Sequence, residues 1–235
     1  MSNINCNNTA IIAKNKTNLL IRCPDLIVDG DVGLDELGDV VKTDLTKYTF
    51  IDFCLLNDTS ERSTWEAEFV SFCITKQWVD EHFPSDKYPP WFFMKGTWNP
   101  KTLYGTQLKA SKGSFAWWPL TGVHDPSDKT EAHNAVAPDG WGFSGCVDYL
   151  IELFQTKENT AVAFHCMSGA DRTGALHAGY LMRTEGLNAS DAIKKATSYV
   201  KIGAPNSGYT NLLIVYQRWL GGAGERWEAM MGVQR

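Results

Sequence analysis

The stretch from Ala161 to Arg183 constrains this chain more than any other. An apolar run, Ala161 to Phe164, leads into His165-Cys166-Met167-Ser168-Gly169-Ala170-Asp171-Arg172-Thr173-Gly174, and helix-forming residues follow to Arg183. That order reads as a short buried strand, a tight loop, and a helix starting near Arg172. Such a loop points backbone N–H groups inward, and a nest of this kind at a helix N-terminus binds a dianion. The same dipoles, with a cation close by, favour thiolate over thiol at Cys166, so nucleophile and anion hole are one object. Arg172 closes the loop with a planar fork that takes two phosphate oxygens at once. The candidate phosphate-binding residues are therefore Met167, Ser168, Gly169, Ala170, Asp171 and Arg172. Gly169 and Gly174 supply positions where positive φ or close backbone approach carries no Cβ penalty. By position, Thr173 can hydrogen-bond the sulfur and His165 can brace the loop through a ring nitrogen.

A Cys and an Arg six residues apart arise by chance in about one chain in six of this composition. Requiring the preceding His, both glycines and the Thr lowers that to about one in 10⁵. A buried structural Cys at the end of a core strand is the plain alternative, but it needs no Gly-x-x-Arg-Thr-Gly behind it. Composition permits an enzyme-sized core, with 43% apolar residues and nine Trp in 235 residues. A net charge of -5 argues against a broad nucleic-acid surface. Met1 to Lys16 is polar and Asn-rich, without the apolar core of a signal peptide, and no run approaches the length of a membrane span. The six cysteines are scattered, with neither zinc-site nor disulfide-scaffold spacing, so a reducing, cytoplasmic setting is expected.

At Cys-x-x-Gly-x-Asp-Arg-Thr-Gly the chain resembles the cysteine-based protein tyrosine phosphatase superfamily, in its dual-specificity-like and lipid-phosphatase-like forms. Ile202-Gly203-Ala204-Pro205-Asn206-Ser207-Gly208-Tyr209 is similar to the Pro-Asn-x-Gly-aromatic segment of dual-specificity phosphatases. The resemblance covers about Trp117 to Leu220. It implies a single-domain α/β fold with a twisted, mostly parallel central sheet flanked by helices. It also implies a phosphocysteine intermediate on Cys166, no cofactor and no metal. Relatives often hold the hydrolytic water with a Gln after the Pro-Asn turn. Here the nearby positions are Asn211 and Leu212, with Gln217 farther along, which leaves the water-positioning residue open.

Elsewhere, Thr49 to Leu56 reads as a buried strand, and Ser63-Thr64-Trp65-Glu66 has the capping-box pattern of a helix running to about His82. Trp91 to Met94 and Phe115 to Leu120 are further strand candidates. A helix is expected over Trp141 to Phe154, another capped by Asn188 or Ser190, and a last one over Ser207 to Leu220. Alternating strands and helices independently suggest an α/β layer fold. The expected organisation is a polar, flexible arm over 1–18, a catalytic domain over 19–220 with an aromatic-rich insertion near 84–113, and a tail over 221–235.

Residues 121–140 show no periodicity and many breakers, and a loop this long inside a compact domain is usually functional. Phosphoryl transfer to a thiolate needs a proton for the departing oxygen. Asp125, ahead of Pro126, is the first candidate donor, although Asp-Pro is also a turn-former. Asp128 is the second. Asp171 is the third, because in the lipid-phosphatase-like relatives the resemblance places the acid inside the loop; it could equally orient Arg172 or loop N–H groups. Phosphorylated protein is the first expected substrate and phosphoinositide the second, although no Lys or additional Arg enters the loop to meet a multiply charged head group. A non-catalytic phosphate-binding module is a third reading, and a 5′-triphosphatase acting on RNA is disfavoured by the acidic balance.

Overall fold

A computed structural model describes residues 4–28, 31–56, 114–136, 142–156 and 158–222. The Ser63–His82 helix, the Trp91–Met94 strand, the insertion near 84–113 and the tail beyond Gly222 lie outside the described residues. The chain forms two compact units. One comprises residues up to Pro119 with Leu153–Gly169, and the other Leu120–Glu152 with the chain from Ala170 onward.

The first unit is built on a five-stranded sheet of β1 (Ala10–Lys14), β2 (Leu19–Cys23), β5 (Thr49–Cys54), β6 (Ser114–Trp117) and β7 (Thr160–His165), in the order β1-β2-β7-β5-β6. Within this sheet, among the described residues, β1–β2 is the one antiparallel pair. The mixed α/β class and the mostly parallel sheet are those expected. β2 and β7 are buried along their whole length and β5 from Phe50 onward, the mark of parallel strands covered on both faces. A short ribbon of β3 (Ile27–Val28) and β4 (Asp31–Val32) and helix α1 (Leu34–Val41) follow β2. At the carboxyl edge of the sheet, Cys23 and Cys54 pair in register with His165 from either side. Cys166 therefore leaves the middle strand where ligands of parallel sheets bind.

Two expectations give way here. The amino-terminal stretch is not a free arm, because Ala10–Lys14 is the edge strand and Ile4 and Ile12 are buried. Its asparagines have structural roles that polarity alone conceals. Asn15 Oδ1 accepts from the N–H groups of Thr17 at 2.9 Å and Asn18 at 2.7 Å, closing the β1–β2 turn. Asn18 donates to Phe154 O at 2.7 Å and accepts from Thr160 N–H at 2.9 Å, tying that turn to the start of β7. In the stretch 121–140, expected to be irregular, Lys129–Val136 is a helix, α2. Asp128 caps it, its Oδ1 accepting from Thr130 N–H at 2.8 Å and Glu131 N–H at 3.0 Å. Ala132 and Val136, one turn apart, are its buried face.

The second unit is helical: α2, the first ten residues of α3 (Phe143–Thr156), α4 (Asp171–Glu185), α5 (Ala189–Ser198) and α6 (Ser207–Gly222). Gly179 lets α4 and α3 approach closely, since a Cβ there would stand 2.7 Å from Phe143 Cζ and 2.9 Å from Val147 Cγ2. Phe143 in turn meets Tyr216 of α6 edge-on, with ring centroids 5.1 Å apart. Asn188 caps α5 as expected, accepting from Asp191 N–H at 2.9 Å. Among the described residues, no helix is long and apolar enough to cross a membrane.

Candidate active site

In the sheet unit, β7 delivers His165 and then Cys166, which is 2% exposed. His165 is wholly buried, and its Nε2 lies 2.7 Å from Oδ1 of Asp52 on β5. Asp52 and Cys54 share a face of β5, and Cys54 sits opposite His165, so strand register alone brings the pair together. Burial pushes the Asp52 carboxyl above the usual range, while His165 pulls it back down. The ring nitrogen seen engaged on His165 faces Asp52, a lone acid inside TFIDFC that sequence reading passes over. After Cys166 the chain exposes Met167 and Ser168, then turns at Gly169 with φ +74°. A Cβ at Gly169 would come within 3.1 Å of Cys23 O and Pro24 N, so both conformation and space require glycine there.

Arg22 is a second residue that sequence reading misses. It is 1% exposed on β2 and donates from Nη2 to Gly169 O at 2.6 Å. The available signal is a single cation inside the apolar run Leu19 to Cys23.

In the helical unit, Asp171 opens α4 and Arg172 lies in its first turn. Arg172 Nε donates to Leu120 O at 3.2 Å, and Tyr209 Oη donates to the same carbonyl at 3.2 Å, which fixes the guanidinium plane. Thr173 is buried, and a Cβ at Gly174 would meet Pro205 Cγ at 3.0 Å, so Gly174 admits the Pro205-Asn206 turn. Asp171 Oδ1 accepts from Asn206 N–H at 2.8 Å, and Asn206 Oδ1 accepts from Gly208 N–H at 3.0 Å at the start of α6. One carboxylate oxygen of Asp171 is thereby committed to a backbone donor.

The stretch carrying Asp125 is clasped along its backbone. Val123 N–H donates to Gly208 O at 2.9 Å, and Asn211 Nδ2 donates to Val123 O at 3.1 Å and His124 O at 3.0 Å. Arg218 Nη1 donates to Pro126 O at 2.7 Å. Glu131 accepts from His124 N–H at 2.7 Å and Asp125 N–H at 3.0 Å. The Asp125 side chain accepts from Ser127 N–H at 2.8 Å and Ser127 Oγ at 2.6 Å, and these bonds hold its carboxyl below the usual range. Here Asp125 makes the turn that Asp-Pro sequences favour. Leu212 is core, and Gln217 Oε1 accepts from Ala189 N–H at 2.7 Å, at the start of α5.

The Glu131 clasp is pH-dependent. Backbone hydrogen bonds from His124 and Asp125 lower its carboxyl, so the stabilisation is present above the ordinary glutamate value and is lost as pH falls through the lowered one. The amide proton resonances of His124 and Asp125 should therefore titrate together by NMR with a midpoint below about 4.3. A midpoint at or above that value would mean that the clasp does not hold in solution.

The family model for the dual specificity phosphatase catalytic domain matches residues 143–219. No curated protein matches the chain. Among solved structures, the chain is similar to human DUSP28 (14% identity, covering 86% of this chain and 90% of that one, TM-score 0.43). It is similar also to DUSP15 (14% identity, 95% of each chain, TM-score 0.42). A third is Tk-PTP in its active form (13% identity, 87% of this chain and 93% of that one, TM-score 0.43). The segment matched by the family model includes β7, the Cys166–Arg172 loop and the Pro205-Asn206 turn. What the comparisons show is therefore a similarity: residues 143–219 resemble the dual specificity phosphatase catalytic domain.

Proposed function

We propose that this protein is a metal-independent phosphomonoesterase that works through a phosphocysteine on Cys166. The observation that carries the reading is a buried Cys166 at the carboxyl end of the middle strand, followed by a positive-φ Gly169 and a helix with Arg172 in its first turn. The thiolate sulfur attacks phosphorus, the ester P–O bond breaks, and a proton goes to the departing oxygen. Water then attacks the phosphorus and the S–P bond breaks, releasing inorganic phosphate and restoring the thiolate. Arg172 and the loop N–H groups neutralise charge on the transferring phosphoryl, and Thr173 serves the sulfur as it leaves. Asp125 is the proposed donor and, once ionised, the base for water. To serve, it must release Ser127, whose hydrogen bonds keep it ionised. A phosphotyrosine or mixed phosphoprotein substrate fits a loop whose exposed Met167 and Ser168 carry no charge.

The test is phosphate release, without metal and under reducing conditions, from an aryl phosphate, phosphotyrosine and phosphothreonine peptides, and a phosphoinositide set. Phosphotyrosine turnover is expected. Asp125→Asn should lose about 10²-fold or more on phosphotyrosine peptide but far less on an aryl phosphate with a weakly basic leaving group. Leaving-group dependence in Asp171→Asn instead, with phosphoinositide preferred, would move the acid and the substrate class together. A strict metal requirement would overturn the reading.

A further inference from the structure

The loop after Cys166 is held from outside by three donors from the amino-terminal part of the chain. Asp25 N–H donates to Met167 O at 3.2 Å, Asn8 Nδ2 to Ser168 O at 2.8 Å, and Arg22 Nη2 to Gly169 O at 2.6 Å. A trans peptide is planar, so the N–H across from each of these carbonyls points the opposite way. Those N–H groups belong to Ser168, Gly169 and Ala170. Each of these consecutive peptides thus has its N–H turned away from the amino-terminal donor that holds its carbonyl, which leaves three successive donors for an anion nest. Without the ties, each peptide could rotate and offer an anion its carbonyl instead.

Arg22 is a costly way to hold one carbonyl. Burying a guanidinium carries a desolvation penalty of several kcal/mol, and the rest of β2 is apolar. Burial lowers its pKa to about 10, while Cys166 and Cys23, close by, pull it back up. Arg22 therefore stays cationic near neutral pH.

We propose, resting on the reading that this loop receives a phosphate ester, that Arg22 and Asn8 are positioning residues for phosphoryl transfer. They lock the loop peptides in the anion-receptive orientation, and Arg22 does so with a buried positive charge at the loop itself. The amino-terminal stretch then belongs to the catalytic machinery, holding the loop by its backbone oxygens.

The experiment measures iodoacetamide alkylation of Cys166, resolved by peptide mass, with and without inorganic phosphate. Exposed Cys6 is the internal reference. In the wild type, phosphate should protect Cys166 and leave Cys6 unaffected; no protection would overturn the phosphate reading and this inference with it. Arg22→Met replaces the buried charge with an apolar chain. It should slow Cys166 alkylation about tenfold relative to Cys6 and raise the half-protecting phosphate concentration by about as much. Arg22→Lys keeps the charge without the fork, so it should restore the alkylation rate but not the protection. Asn8→Ala should weaken protection severalfold with the alkylation rate unchanged. Phosphate protection in the wild type together with wild-type alkylation and protection in a folded Arg22→Met protein would overturn the inference alone. If Arg22→Met does not fold, undiminished protection in Asn8→Ala overturns it.

Discussion

Cys166→Ser is expected to abolish turnover while leaving phosphate binding largely intact. Serine keeps the shape of the loop, and the peptides of Met167, Ser168 and Gly169 are held by Asp25, Asn8 and Arg22, none of which touches the sulfur through these bonds. The hydroxyl, however, is almost wholly un-ionised near neutral pH, whereas a thiol reaches its anionic form readily. Loss of a nucleophile that starts a two-step displacement costs on the order of 10⁴-fold or more in kcat. Steady-state kinetics on an aryl phosphate, paired with equilibrium binding of inorganic phosphate, separates the two effects. Residual activity above about 1% of wild type, after excluding contamination, would remove Cys166 from the mechanism.

Arg172→Lys should be nearly as damaging, and for a different reason. The Nε bond to Leu120 O fixes the guanidinium plane from one side, and Tyr209 secures the same carbonyl. A Lys ammonium carries the charge but has no Nε to anchor and no planar pair of donors for two phosphoryl oxygens. Its charge therefore sits on a flexible stem, and the loss falls mainly on the transition state, where the equatorial oxygens spread. A reduction of about 10²- to 10³-fold in kcat/KM is expected. Near-wild-type kinetics would show that Arg172 does not hold the phosphoryl group.

The loop from Cys166 to Arg172 is legible in the sequence because its geometry is local. Strand, cysteine, positive-φ glycine and arginine lie close together along the chain, so their spacing alone carries the reading. The cap at Asn188 is legible for the same reason, since an N-cap reaches only its own first turn. What supports the loop is not local. Asn8 bonds a carbonyl 160 residues away and Arg22 one 147 residues away, and neither distance leaves a mark in the pattern around the partner. The Asn-rich start reads as unstructured because polarity ordinarily marks solvation, whereas Asn15 and Asn18 commit their amides to a turn and to β7. The helix α2 is hidden by its shortness and by a stretch full of turn-formers, one of which, Asp128, is its cap. As letters, the three candidate acids are ranked only by their positions, Asp125 first, Asp128 second and Asp171 third. They differ by partners that only the fold supplies: Ser127 for Asp125, the first turn of α2 for Asp128, and Asn206 for Asp171.

The proposed reaction passes through a covalent phosphoryl group on one sulfur, and rapid quenching of the protein during turnover of an aryl phosphate, followed by peptide mass analysis, detects that group. Up to one phosphoryl group per chain is expected, found on the peptide containing Cys166 and absent from Cys166→Ser. Full turnover with no phosphoryl on that peptide at any quench time, or with the group on another residue, would contradict it.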